Sequence, residues 1–426
     1  MLPAIIAFLF FLMLGVPIAF SLGSASVIYL LLKEVSLGLI TQRMFTGLDV
    51  FPFMAIPFFI LAGELMNRSG ITKGLVDLAS VFVGRFKGGL GQVNIVTSMF
   101  FAGITGSAVA DTSAIGSMLI PAMIEQGFDD DFSAAVTCSS SVIGPIIPPS
   151  IPFVVYSLVS STSVAALFLG GMIPGILLGV SLMVVNWIIS SIRKYPRAPR
   201  WPTLREMGKA LFHGIVPLLM PLIILGGILG GIFTATEASA VAVVYALLIG
   251  LLFYRRLNWK AIRDAFLVTA KTSGVVFLVI ACSNVFNWTL VVEQVPQSLA
   301  LFAGRTFTNK FVLLAALNIV LLFIGTFMEG TAAIIITVPI LLSITAPFGI
   351  SPIMLGAIVV LNLMIGLITP PVGLCLYVAC GITKLSIEKV TKAVLPFLAA
   401  EIVTLFLVTY VEPLSMFLPR LFGYVR

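Results

Sequence analysis

Apolar residues in this chain run in blocks too long for the amphipathic helices or alternating strands of a water-soluble domain. The stretches 4–32, 132–192 and 330–383 contain no Asp, Glu, Lys or Arg. A bilayer core of about 30 Å is crossed by about 20 helical residues. The pattern predicts a polytopic all-α membrane protein, with spanning helices over 4–32, 51–67, 132–160, 164–192, 209–232, 236–254, 271–292, 351–382 and 392–416. A barrel, which would show short segments of alternating polarity, is excluded by the same blocks. The first block lacks a basic leader and a small-residue cleavage site, so it reads as a helix and not as a signal peptide.

Charge then orients the chain. Only 10% of the 426 residues are charged, with a net charge of +7. The basic residues sit in short loops, which argues for membrane orientation and against nucleic acid as a partner. "RKYPRAPRWPTLR", residues 193–205, carries five Lys/Arg and no acid, so it is expected on the cytoplasmic side. Arg255, Arg256, Lys260 and Arg263, two helices later, read the same way. Counting outward places the N-terminus in the cytoplasm and the C-terminus in the periplasm, with Arg420 and Arg426 against the rule. Cys138, Cys282, Cys375 and Cys380 lie in apolar segments and read as small buried hydrophobes, and His213 as a structural residue at a helix start.

The two halves flanking the basic linker resemble each other. At a shift of 218, "ADTSAIGSMLIP" (110–121) meets "MEGTAAIIITVP" (328–339), so that Asp111 faces Glu329 and Pro121 faces Pro339. At a shift of 222, "GPIIPP" (144–149) meets "GLITPP" (366–371), and Pro174 meets Pro396. At 220, Asn67 meets Asn287, and Gly84-Arg85 meets Gly304-Arg305. Helix 51–67 should run inward and helix 271–292 outward, which makes the repeats inverted in the membrane.

Each repeat carries two interruptions. Residues 89–125 and 309–344 read as helix–tip–helix hairpins, re-entrant from one side, with tips "GITGSAVADTS" and "GTFMEGT". The other reading is one kinked span plus a loop. "SSSVIGPIIPPS" (139–150) and "GLITPP" then break a spanning helix, because each proline removes a backbone donor and clashes with the preceding turn. Irregular backbone at membrane depth persists where it is buried in protein or lines a polar cavity. Its freed carbonyls suit cations, and half-helix N-termini suit anions.

Catalysis is a poor fit. The chain has one histidine, and no HExxH, GxGD or nucleotide-binding motif. Hydroxyls, carbonyls and sparse carboxylates are hard ligands for hard cations, which points to ion-coupled transport. An intramembrane carboxylate is itself a functional candidate. Three roles are open to Asp111 and Glu329: ion ligand, substrate contact or tip brace. Glu64, Glu237 and Glu401 lie outside the repeated pattern and read mainly as interhelical bonding groups or partner contacts.

"GITGSAVADTSAIGSMLIPAM", "GPIIPPSIPFVVY", "GTFMEGTAAIIITVPIL" and "GLITPPVGLCLYVACGI", in this order, resemble the large membrane subunit of tripartite ATP-independent periplasmic (TRAP) transporters of the ion-transporter superfamily. The resemblance covers essentially the whole chain, except that the second tip has Glu329 where the family pattern usually has Asp. It implies a scaffold and a mobile elevator domain, with sodium as the coupling ion and no other cofactor. It also implies a small four-helix membrane subunit, a periplasmic substrate-binding protein, and a Gram-negative inner membrane. The cargo would be an organic acid of the sialic acid or C4-dicarboxylate type.

On that resemblance the chain divides into scaffold and first arm (1–88), hairpin and broken helix (89–163), scaffold, linker (193–207) and second arm (164–308), second hairpin and broken helix (309–383), and a C-terminal helix (384–426). The arms are expected at 71–87 and 295–306. The expected sodium ligands are Gly103, Thr105, Ser107, Asp111, Ser113, Ser141, Gly144 and Pro145 in the first repeat. In the second they are Gly325, Thr326, Glu329, Thr331, Gly366 and Thr369. The expected substrate contacts are Ser107, Asp111, Pro149, Ser150, Glu329, Thr369 and Pro370. A stand-alone sodium–dicarboxylate symporter of the same superfamily is the nearest alternative, with a membrane-embedded enzyme and a channel behind it.

Overall fold

The computed structural model describes residues 2–198 and 200–425; Met1, Pro199 and Arg426 lie outside them. Among the described residues the chain is all helix, turn and loop, without strands. The first apolar block is not one helix. It forms α1 (Leu2–Met13) and α2 (Ile18–Leu32), separated at Gly15, whose φ of +78° is left-handed, and at Pro17, which caps α2. Glycine takes this conformation without strain, and proline is tolerated where a new helix begins. Ala4 packs against Tyr29 and Leu30, so α1 folds back antiparallel on α2. The expected single helix over 4–32 is therefore corrected to a hairpin of two helices. A helix the sequence reading omitted, α3 (Gly38–Leu48), follows, and a 69° bend leads through a 3₁₀ turn at Phe51–Met54 into α4 (Ala55–Arg68).

The segment expected as the first arm, 71–87, is helical only over α5 (Ile71–Val83), and the first hairpin is α6 (Gly89–Thr105) with α7 (Ala108–Glu125). Only Gly106 and Ser107 turn the tip, Gly106 at φ +62°. The broken helix is α8 (Asp130–Ser141) and α9 (Ile151–Ser160), interrupted through the expected Gly-Pro-Pro stretch. The long span α10 (Val164–Ile192) ends at the basic linker. There α11 (Leu204–Leu229) starts on a capping box, in which Thr203 and Glu206 each bond the other's backbone N–H. The box begins the helix earlier than expected, so His213 sits in its third turn and not at its start. Thr234 and Glu237 build the same box for α12 (Ala235–Leu248), which explains Glu237 as a cap.

α13 (Trp259–Val292) has 34 residues, about 51 Å of helix. It separates the Arg255–Arg263 loop from Glu293, which holds α2 through Tyr29 Oη (2.8 Å) and Lys33 Nζ (2.8 Å). These bonds, that of Lys33 above all, lower the Glu293 pKa to about 2. A short helix, α14 (Val295–Thr306), occupies the segment expected as the second arm. The second hairpin is α15 (Lys310–Phe327) with α16 (Gly330–Thr345), and the second broken helix is α17 (Pro352–Gly366) with α18 (Leu374–Thr383). α19 (Ile387–Tyr410) and α20 (Pro413–Leu421) close the chain.

Seven described helices are long and apolar enough to cross a membrane. Both hairpins put their tips against the breaks. Asp111 beside tip 1 faces Gly144, and Gly325 beside tip 2 packs directly on Gly366. This juxtaposition carries the tips to the depth of the broken helices, as re-entrant hairpins require. Small residues let these backbones meet, which is how helices associate where lipid removes the hydrophobic drive.

Candidate transport site

Tip 1 is built by hydroxyls around one acid. Ser107 caps α7 by accepting from Ala110 N at 3.4 Å. One turn later Asp111 is fully buried, and Thr105 Oγ1 donates to its Oδ1. Its Oδ2 is buried without a hydrogen-bond partner among the described residues. A methyl group added to Gly144 would overlap that oxygen. Glycine at the break therefore brings the chain against the carboxylate, and the backbone carbonyl of Ser141 lies on the same side. Buried polar atoms are nearly always paired, and an unpaired anionic oxygen is the costliest exception. Such an oxygen demands a cation or a proton.

Tip 2 is organised differently. Glu329 is the N-cap of α16, accepting from Ala332 N at 3.1 Å and from Thr331 Oγ1 at 2.8 Å. The two N-caps, Ser107 and Glu329, are 222 residues apart, the spacing of Gly144 and Gly366. Glu329 is thus the structural counterpart of Ser107, and the pairing with Asp111 expected from a shift of 218 is corrected. At 222, Asp111 is matched by Ala333. The two shifts differ by four residues, about one helical turn, so the mistaken alignment kept the same helix face. Behind this tip Thr326 Oγ1 donates to Phe323 O, Thr369 Oγ1 donates to Ile365 O, and Gly373 N donates to Thr326 O at 3.4 Å.

A cavity of about 580 Å³ opens between the tips. Of the expected residues it is lined by Thr105, Ser107, Ser113, Pro145, Glu329 and Thr331. Ala108 and Val109, the first turn of α7, also face it. Asp111 and Gly144 lie behind tip 1 with Gly103 and Ser141, whose hydroxyl donates to Thr137 O. Of the expected substrate contacts, Asp111, Pro149, Ser150, Thr369 and Pro370 do not line this cavity. Pro149 and Ser150 border a separate cleft of only about 10 Å³, and the Ser150 hydroxyl is already given to Pro145 O. Gly325, Thr326, Gly366 and Thr369 gather behind tip 2.

Three polar wall residues escaped the sequence reading as cavity groups: Glu64, Asn67 and Thr272, from α4 and α13. The signal that was available was Glu64 in an apolar helix; its carboxylate accepts from Arg68 Nε at 3.3 Å. Glu401 also departs from expectation. It is fully buried in α19, and neither carboxylate oxygen has a partner among the described residues, so it makes no interhelical bond. Cys138, Cys282 and Cys375 are buried as expected, and Cys380 is half-buried.

Residues 5–414 match the DctM component of the tripartite ATP-independent periplasmic transporters. The chain belongs to this family. It is 40% identical over 426 residues to the sialic acid TRAP transporter large permease protein SiaM of Vibrio cholerae, covering 100% of both chains. It is 39% identical over 404 residues to the C4-dicarboxylate TRAP transporter large permease protein DctM of Pseudomonas aeruginosa, covering 95% of this chain and 94% of that one. The solved YdaH transporter of Alcanivorax borkumensis superposes with a TM-score of 0.64 at 15% identity, over 97% of this chain and 99% of its own, a likeness of fold. As a TRAP large permease the protein is a multi-pass membrane transporter and not an enzyme. The interrupted helices and the cavity between the tips are thus features of a transport protein.

Proposed function

We propose that this TRAP permease takes up an organic acid across the bacterial inner membrane, driven by sodium and by an elevator movement. The observation that carries the coupling is the buried, unpartnered Oδ2 of Asp111 against Gly144. Sodium is a hard cation suited to carboxylate, hydroxyl and carbonyl oxygens. One ion belongs with Thr105, Asp111 and the carbonyls of the first break. A second belongs with the carbonyls and hydroxyls of Gly325, Thr326, Gly366 and Thr369. Neither contradicts the absence of a His/Cys/Asp/Glu cluster among the described residues, since sodium needs none.

The substrate carboxylate belongs at the start of α7. There Ala108 and Val109 line the cavity, and the free N–H groups and dipole of a first helical turn favour an anion. The start of α16 is closed to that role by the side chain of Glu329. Sialic acid and C4-dicarboxylates are the cargo classes of the two relatives above and fit a cavity of this size. Hairpins and broken helices form the moving body, and α5 and α14 connect it to the scaffold. A periplasmic binding protein and a small membrane subunit complete the transporter. With the basic linker in the cytoplasm, Glu293 and the neighbouring start of α1 face the periplasm, as does the C-terminal end. That sidedness reverses the cytoplasmic N-terminus expected from a single first helix.

Proteoliposomes holding both membrane subunits, supplied with the binding protein and an organic acid, test the proposal. Uptake that follows an imposed sodium gradient supports it. Equal uptake without sodium overturns the coupling, and transport by this chain alone overturns the tripartite reading.

A further inference from the structure

A second large cavity, about 540 Å³, lies away from the tips. It opens between the first arm, the start of α11 and the turn before α13, at the end of the bundle that carries the basic linker. Two glycines of the arm segment make its floor. A Cβ on Gly70 would stand 2.9 Å from the Arg256 guanidinium, and one on Gly74 would stand 3.1 Å from His213 O and 3.2 Å from Tyr254 Oη. Tyr254 Oη donates to His213 O, locking the far wall.

The charge around this cavity is unbalanced. Lys73, Lys209 and Arg256 line it, and among the described residues none of them makes an ion pair. Two acids share the space. Glu206 is committed, accepting from Thr203 N, Thr203 Oγ1 and Arg200. Asp77 sits one turn from Lys73 on α5, so three cations share the cavity with one acid that has no other bond among the described residues. Beside the cavity Phe212 of α11 is exposed with its ring against His213, while Leu204, Leu211 and Ile215 are exposed on the opposite face of the same helix. A basic pocket at the end of a long apolar helix, with Phe212 at its edge, suits a phosphate group carrying acyl chains.

We infer that this cavity binds the phosphate headgroup of an anionic phospholipid, with Lys73, Lys209 and Arg256 as its ligands and the acyl chains passing Phe212 onto the outer face of α11. A lipid here would join arm to scaffold at the point where the arm must pivot. The cytoplasmic leaflet carries the anionic lipids that such juxtamembrane cations attract. The site is separate from the tips, and its occupancy does not depend on sodium coupling.

The test is binding of phosphatidylglycerol, phosphatidylcholine and inorganic phosphate to the full-length chain in detergent, followed by native mass spectrometry. Wild type should retain phosphatidylglycerol over phosphatidylcholine. The K73Q/K209Q/R256Q variant should lose phosphatidylglycerol affinity on the order of a hundredfold, from three basic groups at about fivefold each. The charge-preserving K73R/K209R/R256K variant should hold it within about threefold, since the charge is unchanged. Equal retention of both lipids by wild type, or undiminished binding in the triple Gln variant, overturns the inference. Displacement of the lipid by an equal concentration of inorganic phosphate overturns it too, by assigning the site to a soluble anion. Should the Gln variant fail to fold, the wild-type lipid contrast and the charge-preserving variant decide the question.

Discussion

The two tips look like copies in the sequence and behave as different devices in the structure. Tip 1 has a neutral cap, Ser107, and one turn later a buried carboxylate with an unmet oxygen. Tip 2 has its carboxylate at the cap itself, met by Ala332 N and Thr331 Oγ1, and an alanine where Asp111 would stand. An acid satisfied by its own helix braces that helix. An acid left unsatisfied needs a cation or a proton. The same difference leaves the start of α7 free for an anion and the start of α16 occupied. Inverted repeats can thus keep their backbone symmetry while dividing the chemistry between them.

The largest expected effect follows from removing the unmet acid. Asp111→Ala should reduce sodium-driven uptake by roughly 10- to 150-fold, the worth of a charge-assisted contact of about 1.5–3 kcal/mol. Radiolabelled substrate uptake in proteoliposomes measures it, and activity above half of wild type would erase the distinction between the tips. The two break glycines come next and should fail in different ways. Gly366→Ala drives a methyl into the Gly325 backbone, so overpacking should destabilise the protein by about 1–3 kcal/mol, read as a lower melting temperature. Gly144→Ala meets the Asp111 side chain instead and should weaken sodium dependence more than it lowers the melting temperature. Equal thermal losses would show that the two contacts are alike.

Glu329→Ala should act as the loss of a helix cap, about 1 kcal/mol, again measured by thermal unfolding. The smallest effect lies at the far end of repeat 1, where Asp130 bonds Lys389 Nζ at 2.8 Å and ties α8 to α19. That bond, more than any other influence, holds the Asp130 pKa below its usual value. Its contribution is present above the ordinary carboxylate pKa of about 4 and is lost as pH falls through the lowered one. Asp130→Asn should therefore cost no more than about 0.5 kcal/mol at pH 7, as exposed ion pairs do, and nothing measurable at low pH.

Much of this architecture is legible in the residues. Helix α10 begins and ends where the apolar pattern places it, and both Gly-Pro-Pro stretches break their helices. Proline and glycine act locally, so local sequence reveals them. Gly15 and Pro17 were missed because their block has no charge to mark its midpoint, and two short apolar helices look like one long one. The pairing of Asp111 with Glu329 failed for another reason. Matching acids and prolines by type slid the repeats by one turn, whereas caps align by the backbone N–H groups they satisfy. Glu64, Asn67 and Thr272 meet the tips only through tertiary packing, which no spacing along the chain encodes.

In the proposed function Asp111, and not Glu329, completes a sodium site. Sodium titration of uptake in the reconstituted transporter compares Asp111→Asn with Glu329→Gln directly. Asp111→Asn should raise the half-saturating sodium concentration at least about tenfold, the worth of ~1.4 kcal/mol, while Glu329→Gln should leave it within about twofold. A larger shift in Glu329→Gln than in Asp111→Asn would contradict the Asp111 assignment.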